Sequence, residues 1–147
     1  MRERAKIRSA DFLVLRVGLF FGDTSGMTAK RLLIVDDEPD FCTFVATVGE
    51  GLGYDVATVT DPMVFAEAYH DAAPDVVVVD MVMPNLDGFE LLKWLVAEKS
   101  EAKIVIVTGH NPHYAKAAQL QSVAKGLSQV KTFTKPISVS KLRAALS

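Results

Sequence analysis

Short apolar runs alternate along most of the chain with segments whose apolar residues recur at helical spacing. The most uniform run covers residues 76–79, four consecutive valines with no polar alternation. Such a run predicts a strand buried on both faces, as in a parallel sheet with helices on each side. Similar runs at 32–35 and 104–107 predict two further buried strands.

Two more strands and a first helix follow from the same pattern. Residues 54–59 alternate in polarity, which indicates a strand nearer the sheet edge, and a last strand spans about 130–134. The first helix is predicted to begin near Pro39, a residue favoured in the first helical turn, and to end at Gly51 and Gly53. Its inward face carries apolar residues at helical spacing: Phe41, Phe44, Val45, Val48 and Leu52.

Capping residues place the remaining helices. Asp61 is a natural N-cap, with Pro62 at the first position of a helix that runs to about Asp71. A third helix follows Gly88, where a glycine permits a positive φ or a close backbone approach. A fourth helix is predicted at about 113–127, and Ser138 caps a last helix that reaches residue 146. The third helix turns these apolar residues inward: Leu91, Leu92, Leu95 and Val96.

The alternation of strands and helices implies right-handed crossovers and helices on both faces of one sheet. The predicted fold class is therefore α/β: a flavodoxin-like (βα)5 three-layer sandwich whose five-stranded parallel sheet has the order 2-1-3-4-5. A chain of 147 residues suits one such domain. We assign the domain to residues 29–147 and treat 1–28 as an N-terminal extension.

Polar side chains follow four of the predicted strands. Asp36 and Asp37 follow the first strand, Asp80 the third, Thr108 the fourth and Lys135 the fifth. The carboxyl ends of parallel strands meet at one edge of a sheet, where ligands bind in open α/β folds. An isolated aspartate at such a position is often a cap or turn residue. Asp80, however, is expected to lie close to the polar residues that follow the other strands.

Clustered carboxylates need a cation. Two unit charges about 4 Å apart repel by about 4 kcal/mol at an effective dielectric constant of about 20. Oxygen ligands of this kind suit Mg²⁺, which also shares its coordination shell with phosphate. A carboxylate nucleophile, a metal site and nearby donors are the components that phosphoryl transfer to an aspartate requires.

The order and spacing of these motifs over residues 29–147 resemble the receiver domain of two-component response regulators. The matching motifs are Asp36-Asp37, Asp80 with Met81-Val82-Met83-Pro84 and Asp87-Gly88, then Thr108, then Lys135-Pro136.

The resemblance implies a role for each matching residue. Asp80 would accept the phosphoryl group, with Thr108 as the switch hydroxyl and Lys135 in contact with the phosphoryl group. Asp36, Asp37 and Asp80 would hold Mg²⁺ together with the backbone carbonyl of Val82, and Mn²⁺ is expected to substitute. The Lys135-Pro136 bond is expected to be cis, and no organic cofactor is expected.

The implied function is that of a single-domain response regulator, a signalling protein that catalyses only its own phosphorylation and dephosphorylation. Its phosphodonor would be a histidine kinase or a histidine phosphotransfer protein. Because the last predicted helix lies close to the end of the sequence, we expect output through a downstream protein or onward phosphotransfer, without direct nucleic-acid binding. We expect a cytoplasmic location without stable membrane insertion, and a homodimer is left open.

Three other functions compete with this one. A phosphatase of the haloacid dehalogenase type also uses an aspartate nucleophile, but it usually carries Asp-x-Asp after the first strand. A flavin or nucleotide binder of this fold would need a Gly-rich phosphate loop where acids stand here. A degenerate receiver used only for binding conflicts with the complete set of acids, threonine and lysine.

The sequence departs from the family pattern around the signalling face. Thr132 stands where the family usually has an aromatic switch residue, and Phe133 is expected to point to the opposite face. The interval between Thr108 and Lys135 is longer than expected by about a helical turn. Val82 and His110 occupy positions that influence phosphoryl lifetime in the family.

Composition adds little to this picture. The net charge of −2 gives no global argument for nucleic-acid or acidic-membrane binding. Cys42 is the only cysteine, which excludes an intramolecular disulfide and suits a reducing compartment. It fits a small core or boundary position. His110 and His113 have neither a cysteine nor an acidic residue close in sequence, which favours a solvated loop over a transition-metal site.

Residues 1–26 differ from the rest of the chain. A basic start is followed by an apolar stretch at 12–21 that is interrupted by Arg16 and is too short for a transmembrane helix. Three interpretations compete: an upstream start codon with Met27 as the working start, a docking or membrane-surface segment, and a secretory signal that lacks an evident cleavage site.

Overall fold

The computed structural model of the chain describes residues 29–83, 86–109, 113, 116–117, 125–127 and 129–147. The strands are β1 Arg31–Val35, β2 Asp55–Val59, β3 Val76–Val79, β4 Val82–Met83, β5 Leu86–Asp87, β6 Lys103–Thr108 and β7 Val130–Thr134. The helices are α1 Pro39–Gly51, α2 Phe65–Ala72, α3 Gly88–Ala97 and α4 Val139–Leu146, with a short 3-10 helix at Pro62–Val64.

The main sheet has five parallel strands in the order β2-β1-β3-β6-β7. This order confirms the predicted 2-1-3-4-5 topology, because β6 and β7 are the fourth and fifth strands of the main sheet. The four valines of β3 are all buried at its centre, as their uniform apolar character predicts. The alternating strand β2 lies at an edge, also as predicted.

Alternate residues of the strands face two separate cores. Leu33, Val77 and Ile104 pack with α2 and α3, whereas Leu32, Val78 and Val105 pack with α1 and α4. The sheet therefore lies between two helical layers, which confirms the three-layer sandwich.

Several sequence predictions are confirmed in detail. Helix α1 begins at Pro39, and α4 has Ser138 as its N-cap, where the hydroxyl accepts the backbone N–H of Lys141 at 3.1 Å. Cys42 is buried, as its predicted core or boundary position requires.

One prediction about local structure needs correction, and one local feature was not predicted. The segment after Asp61 does not begin as an α-helix: residues 62–64 form a 3-10 turn, a tighter form common at helix starts, and α2 runs from Phe65 to Ala72. The short antiparallel pair β4–β5 was not predicted, because two-residue strands are too short to show a periodic pattern.

The predicted fourth helix lies largely outside the described residues, as does residue 110. Among the helices that the structure describes, none combines the length and the apolar character needed to cross a membrane.

Candidate functional site

The backbone holds the polar residues at one edge of the sheet. Asp36 follows β1, Asp80 follows β3, Thr108 ends β6 and Lys135 follows β7. Main-chain hydrogen bonds continue the ladder past the strand ends: the Asp80 N–H donates to Val35 at 3.1 Å, and the Lys135 N–H donates to Thr108 at 2.9 Å. The sheet thus fixes the backbone position of these residues.

Strand alternation places three of these side chains on the same face. Asp36 and Asp80 lie two positions beyond residues 34 and 78, which face the α1–α4 core, and Lys135 lies two positions beyond Phe133. The three side chains therefore meet above the α1–α4 layer.

The Lys135 ammonium contacts three carboxylates. Its Nζ atom lies 2.9 Å from Oδ2 of Asp36, 2.7 Å from Oε1 of Glu38 and 3.3 Å from Oδ2 of Asp80. The ammonium also lies over the ring of Phe41, 4.3 Å from the ring centroid. These contacts bring Asp36, Asp80 and Lys135 together, as their strand-end positions predict.

Asp36, Asp37 and Asp80 form a cluster that fits a divalent cation. Each can offer one carboxylate oxygen, and these atoms lie within 4.8 Å of one another. Asp36 is 1% exposed and Asp80 is 5% exposed, so water screens their charges only weakly. Three carboxylate ligands with one ammonium nearby suit a hard cation such as Mg²⁺.

Hydrogen bonds orient the two buried carboxylates. Oδ1 of Asp36 accepts the backbone N–H of Glu38 at 2.9 Å, and Oδ1 of Asp80 accepts the backbone N–H of Val82 at 3.1 Å. In both residues the second oxygen accepts from Lys135. A carboxylate has about four acceptor sites, so each retains capacity for a metal ion.

The site perturbs the pKa values of two of its groups. Burial raises the pKa of Asp36 above its usual value, although the hydrogen bonds from Lys135 and Glu38 oppose this shift. Burial would lower the pKa of Lys135, but hydrogen bonds to Glu38 and Asp36 and the charges of Asp36 and Asp80 outweigh it and raise the pKa. Lys135 is therefore fully protonated at neutral pH.

The loop after Asp80 is held in place by a close backbone approach. The N–H of Gly88 donates to the carbonyl of Met81 at 2.9 Å, and a Cβ atom at Gly88 would lie 2.6 Å from Cα of Met81. This confirms the close backbone approach predicted at Gly88, which is the first residue of α3. The β4–β5 pair also joins Val82 to Asp87, which caps α3 through a hydrogen bond from the N–H of Phe89.

Other sequence predictions have mixed outcomes. Thr108 is 1% exposed at this edge, but its contact with a phosphoryl group stays a prediction, as does the ligand role of the Val82 carbonyl. Phe133 packs against the α1–α4 core, away from the face expected for a switch residue at Thr132. The Lys135–Pro136 peptide bond is cis, as expected.

Sequence reasoning missed the contacts of Glu38 and Phe41 with Lys135. The sequence analysis gave no role to Glu38, and it placed Phe41 only on the inward face of α1. Their contacts join residues almost one hundred positions apart, so no local pattern reports them.

An open groove of about 870 Å³ lies beside the cluster, along the start of α1 and the chain after β7. Its lining combines acidic and apolar side chains with Lys135: Asp37, Glu38, Pro39, Asp40, Phe41, Phe44, Pro136 and Ile137.

The fold and this edge define a doubly wound α/β domain with an acid-and-lysine site at the carboxyl ends of its strands. The family model for the response regulator receiver domain matches residues 32–147. The chain therefore belongs to the receiver domain family of response regulators, which act in two-component signalling.

Similar proteins agree with this assignment. The chain is 31% identical over 115 residues to the alkaline phosphatase synthesis transcriptional regulatory protein PhoP of Bacillus subtilis, a match that covers 78% of this chain and 46% of PhoP. Among solved structures, the Francisella response regulator 1452 receiver domain matches with a TM-score of 0.66 and 25% identity, over 80% of this chain and 93% of that chain.

A response regulator from Burkholderia pseudomallei was solved with a phosphorylated aspartic acid, a calcium ion and citrate. It matches with a TM-score of 0.67 and 25% identity, over 80% of this chain and 66% of that chain. The chain spans about a third to a half of the length of the first curated relatives it matches. The family assignment favours the receiver interpretation over the phosphatase and flavin-binding alternatives.

Proposed function

We propose that this receiver domain accepts a phosphoryl group on Asp80 in a Mg²⁺-dependent reaction. The observation that carries the proposal is the convergence of Asp36, Asp37, Asp80 and Lys135 at one sheet edge. The Burkholderia structure, which has a phosphorylated aspartic acid and a calcium ion, supports the same pairing of phosphoacceptor and divalent ion here.

In the proposed reaction, a carboxylate oxygen of Asp80 attacks the phosphorus of a phosphohistidine. A P–O bond forms, the P–N bond breaks, and its electron pair remains on the imidazole nitrogen. Lys135 offsets negative charge on the phosphoryl oxygens, and the Val82 N–H orients the nucleophile. A Mg²⁺ or Mn²⁺ ion held by Asp36, Asp37, Asp80 and the Val82 carbonyl would supply further charge neutralisation.

The acyl phosphate then acts as a signal until water hydrolyses it. It adds about −1.5 to −2 units of charge to the edge of the sheet. We propose that the Thr108 hydroxyl donates to this group, and that the resulting rearrangement changes affinity for a downstream protein or for a second phosphotransfer partner. Val82, two residues after Asp80, and His110, two residues after Thr108, are expected to affect the phosphoryl lifetime.

The groove beside the cluster is the proposed approach for the donor. Phe41, Phe44, Pro136 and Ile137 supply an apolar surface that leads to Lys135. We propose that a helix of a kinase or phosphotransfer protein, which carries the phosphohistidine, enters this groove.

We also propose that residues 29–147 act as a domain in the cytoplasm, without inserting stably into a membrane. Output would pass through protein contact rather than direct DNA contact.

The test is phosphorylation by acetyl phosphate with Mg²⁺, measured by intact mass or a phosphate-affinity gel. The wild-type chain should gain one phosphoryl group, and Asp80→Asn and Asp80→Ala should gain none. Glu50→Gln, which changes an exposed acid at the far end of α1, is the control and should label normally. Labelling that persists in both Asp80 variants would contradict the proposal.

A further inference from the structure

The ammonium of Lys135 has no N–H left for a phosphoryl group in the structure described here. An ammonium has three N–H donors, and Asp36, Glu38 and Asp80 each accept from it, at 2.9, 2.7 and 3.3 Å. If Lys135 is to bind a phosphoryl oxygen, one of these three carboxylates must lose its hydrogen bond from Lys135.

The three carboxylates differ in how easily they can be released. The side chains of Asp36 and Asp80 are 1% and 6% exposed, so water cannot readily replace Lys135 as their hydrogen-bond partner. The side chain of Glu38 is 61% exposed, and water can hydrate its carboxylate after release. Glu38 therefore leaves at the lowest cost, even though its contact with Lys135 is the shortest.

We propose that Glu38 is a positioning residue. Its carboxylate binds the Lys135 ammonium before phosphorylation, and a phosphoryl oxygen replaces it there during phosphorylation. This inference rests on the proposed function of Asp80. The Phe41 ring lies against the ammonium and can support it during the exchange. Glu38 must release Lys135 before Lys135 can stabilise the transferred phosphoryl group. The contact between Glu38 and Lys135 therefore slows phosphorylation.

Two substitutions distinguish the loss of the Glu38–Lys135 contact from the loss of the Glu38 charge. Glu38→Gln removes the charge, whereas Glu38→Asp keeps the charge on a side chain one methylene shorter. Glu38 is the N-cap residue of α1 and its side chain makes no capping hydrogen bond. Aspartate is a preferred N-cap, so the shorter carboxylate should turn to the helix N–H groups and away from Lys135.

The measurement is the labelling rate with acetyl phosphate as a function of donor and Mg²⁺ concentration, with Glu50→Gln as the control. Both Glu38 variants should raise the maximal rate about fivefold, the size expected for losing an ion pair whose acidic partner is mostly exposed. The donor concentration at half-maximal rate should change less than the maximal rate.

A second readout follows the exchange directly. In protein labelled with ¹³C, the carboxylate resonance of Glu38 should move when beryllofluoride and Mg²⁺ are added, because the phosphoryl mimic takes the place of Glu38 at Lys135. Glu50 should show no such movement.

Three outcomes would overturn the inference. Equal rates in the wild-type chain and both Glu38 variants would show that the contact does not control phosphorylation. Faster labelling in Glu38→Gln alone would show an effect of charge without exchange, and an unmoved Glu38 resonance would exclude exchange. A wild-type chain that does not label would defeat the proposed function itself, which distinguishes the two failures.

Discussion

At the scale of single residues, the site is a set of charges that the fold forces together. Asp36 and Asp80 are almost fully buried, and each uses one oxygen for a backbone N–H and the other for Lys135. Asp37 adds a third carboxylate to the same cluster. Without a cation beyond Lys135, the mutual repulsion of these acids opposes folding.

This arrangement predicts that Mg²⁺ stabilises the chain and that the effect depends on Asp37. A ligand that binds only the folded state at about 100 times its Kd adds about 2.7 kcal/mol to the free energy of unfolding. Saturating Mg²⁺ should therefore raise the Tm of the wild-type chain, and Asp37→Asn should lose most of that increase. In the absence of Mg²⁺, the same variant should be as stable as the wild type or more so, because a like charge is removed.

Thermal unfolding followed by circular dichroism, with and without MgCl₂, measures both effects. The control is Glu50→Gln, which should keep the full response to Mg²⁺. An equal response in Asp37→Asn would remove Asp37 from the metal site.

Residue-scale prediction from the sequence succeeded where strand ends determine position. Asp36, Asp80 and Lys135 each follow a buried apolar strand, and parallel pairing brings those ends together. The contact of Glu38 with Lys135 could not be predicted, because it depends on the side-chain directions of a helix start and a distant loop. An acid at a helix start is explained equally well as a favourable charge near the helix dipole.

At the scale of elements, the loop between β3 and α3 depends on the close approach of Gly88 to Met81. A Cβ atom at residue 88 would lie 2.6 Å from Cα, 2.7 Å from the carbonyl oxygen and 2.8 Å from Sδ of Met81. Two of these atoms belong to the backbone and cannot move aside as the end of a side chain can. The loop must therefore shift if residue 88 gains a side chain.

We expect Gly88→Ala to lower the free energy of unfolding by about 1–3 kcal/mol, the usual cost of overpacking. It should also slow phosphorylation, because the loop carries the Val82 N–H that binds Asp80. Urea denaturation measures the first effect and acetyl phosphate labelling the second. The matched control is Gly51→Ala in α1, where no atom lies within 4 Å of the added Cβ and alanine favours the helix. Unchanged stability and labelling in Gly88→Ala would show that the loop does not need the close approach.

Element-scale prediction was accurate for the long periodic segments. The strand β7 and the starts of α1 and α4 agree with the sequence analysis. The 3-10 turn at Pro62–Val64 could not be told from an α-helix, since both suit the same Asp-Pro start and differ only in hydrogen-bond spacing.

At the scale of the whole molecule, the described residues place helices on both faces of one sheet. The buried apolar residues of the two cores run from Leu32 to Leu146, and β1 pairs on one side with β2 and on the other with β3. The match to the receiver family begins at residue 32. All the buried core residues that the structure describes therefore lie within the range of the family match.

We accordingly predict that deletion of residues 1–28 leaves folding and phosphorylation unchanged. The Tm should stay within about 4 °C of the full chain, since a shift of that size corresponds to about 1 kcal/mol in a domain of this length. The labelling rate of Asp80 with acetyl phosphate should also be the same, because the proposed acids and lysine all lie within the retained residues. A lower Tm or slower labelling would show that the apolar stretch at 12–21 docks on the domain. An unchanged domain that loses phosphotransfer from its kinase, but not from acetyl phosphate, would instead assign that stretch to partner binding.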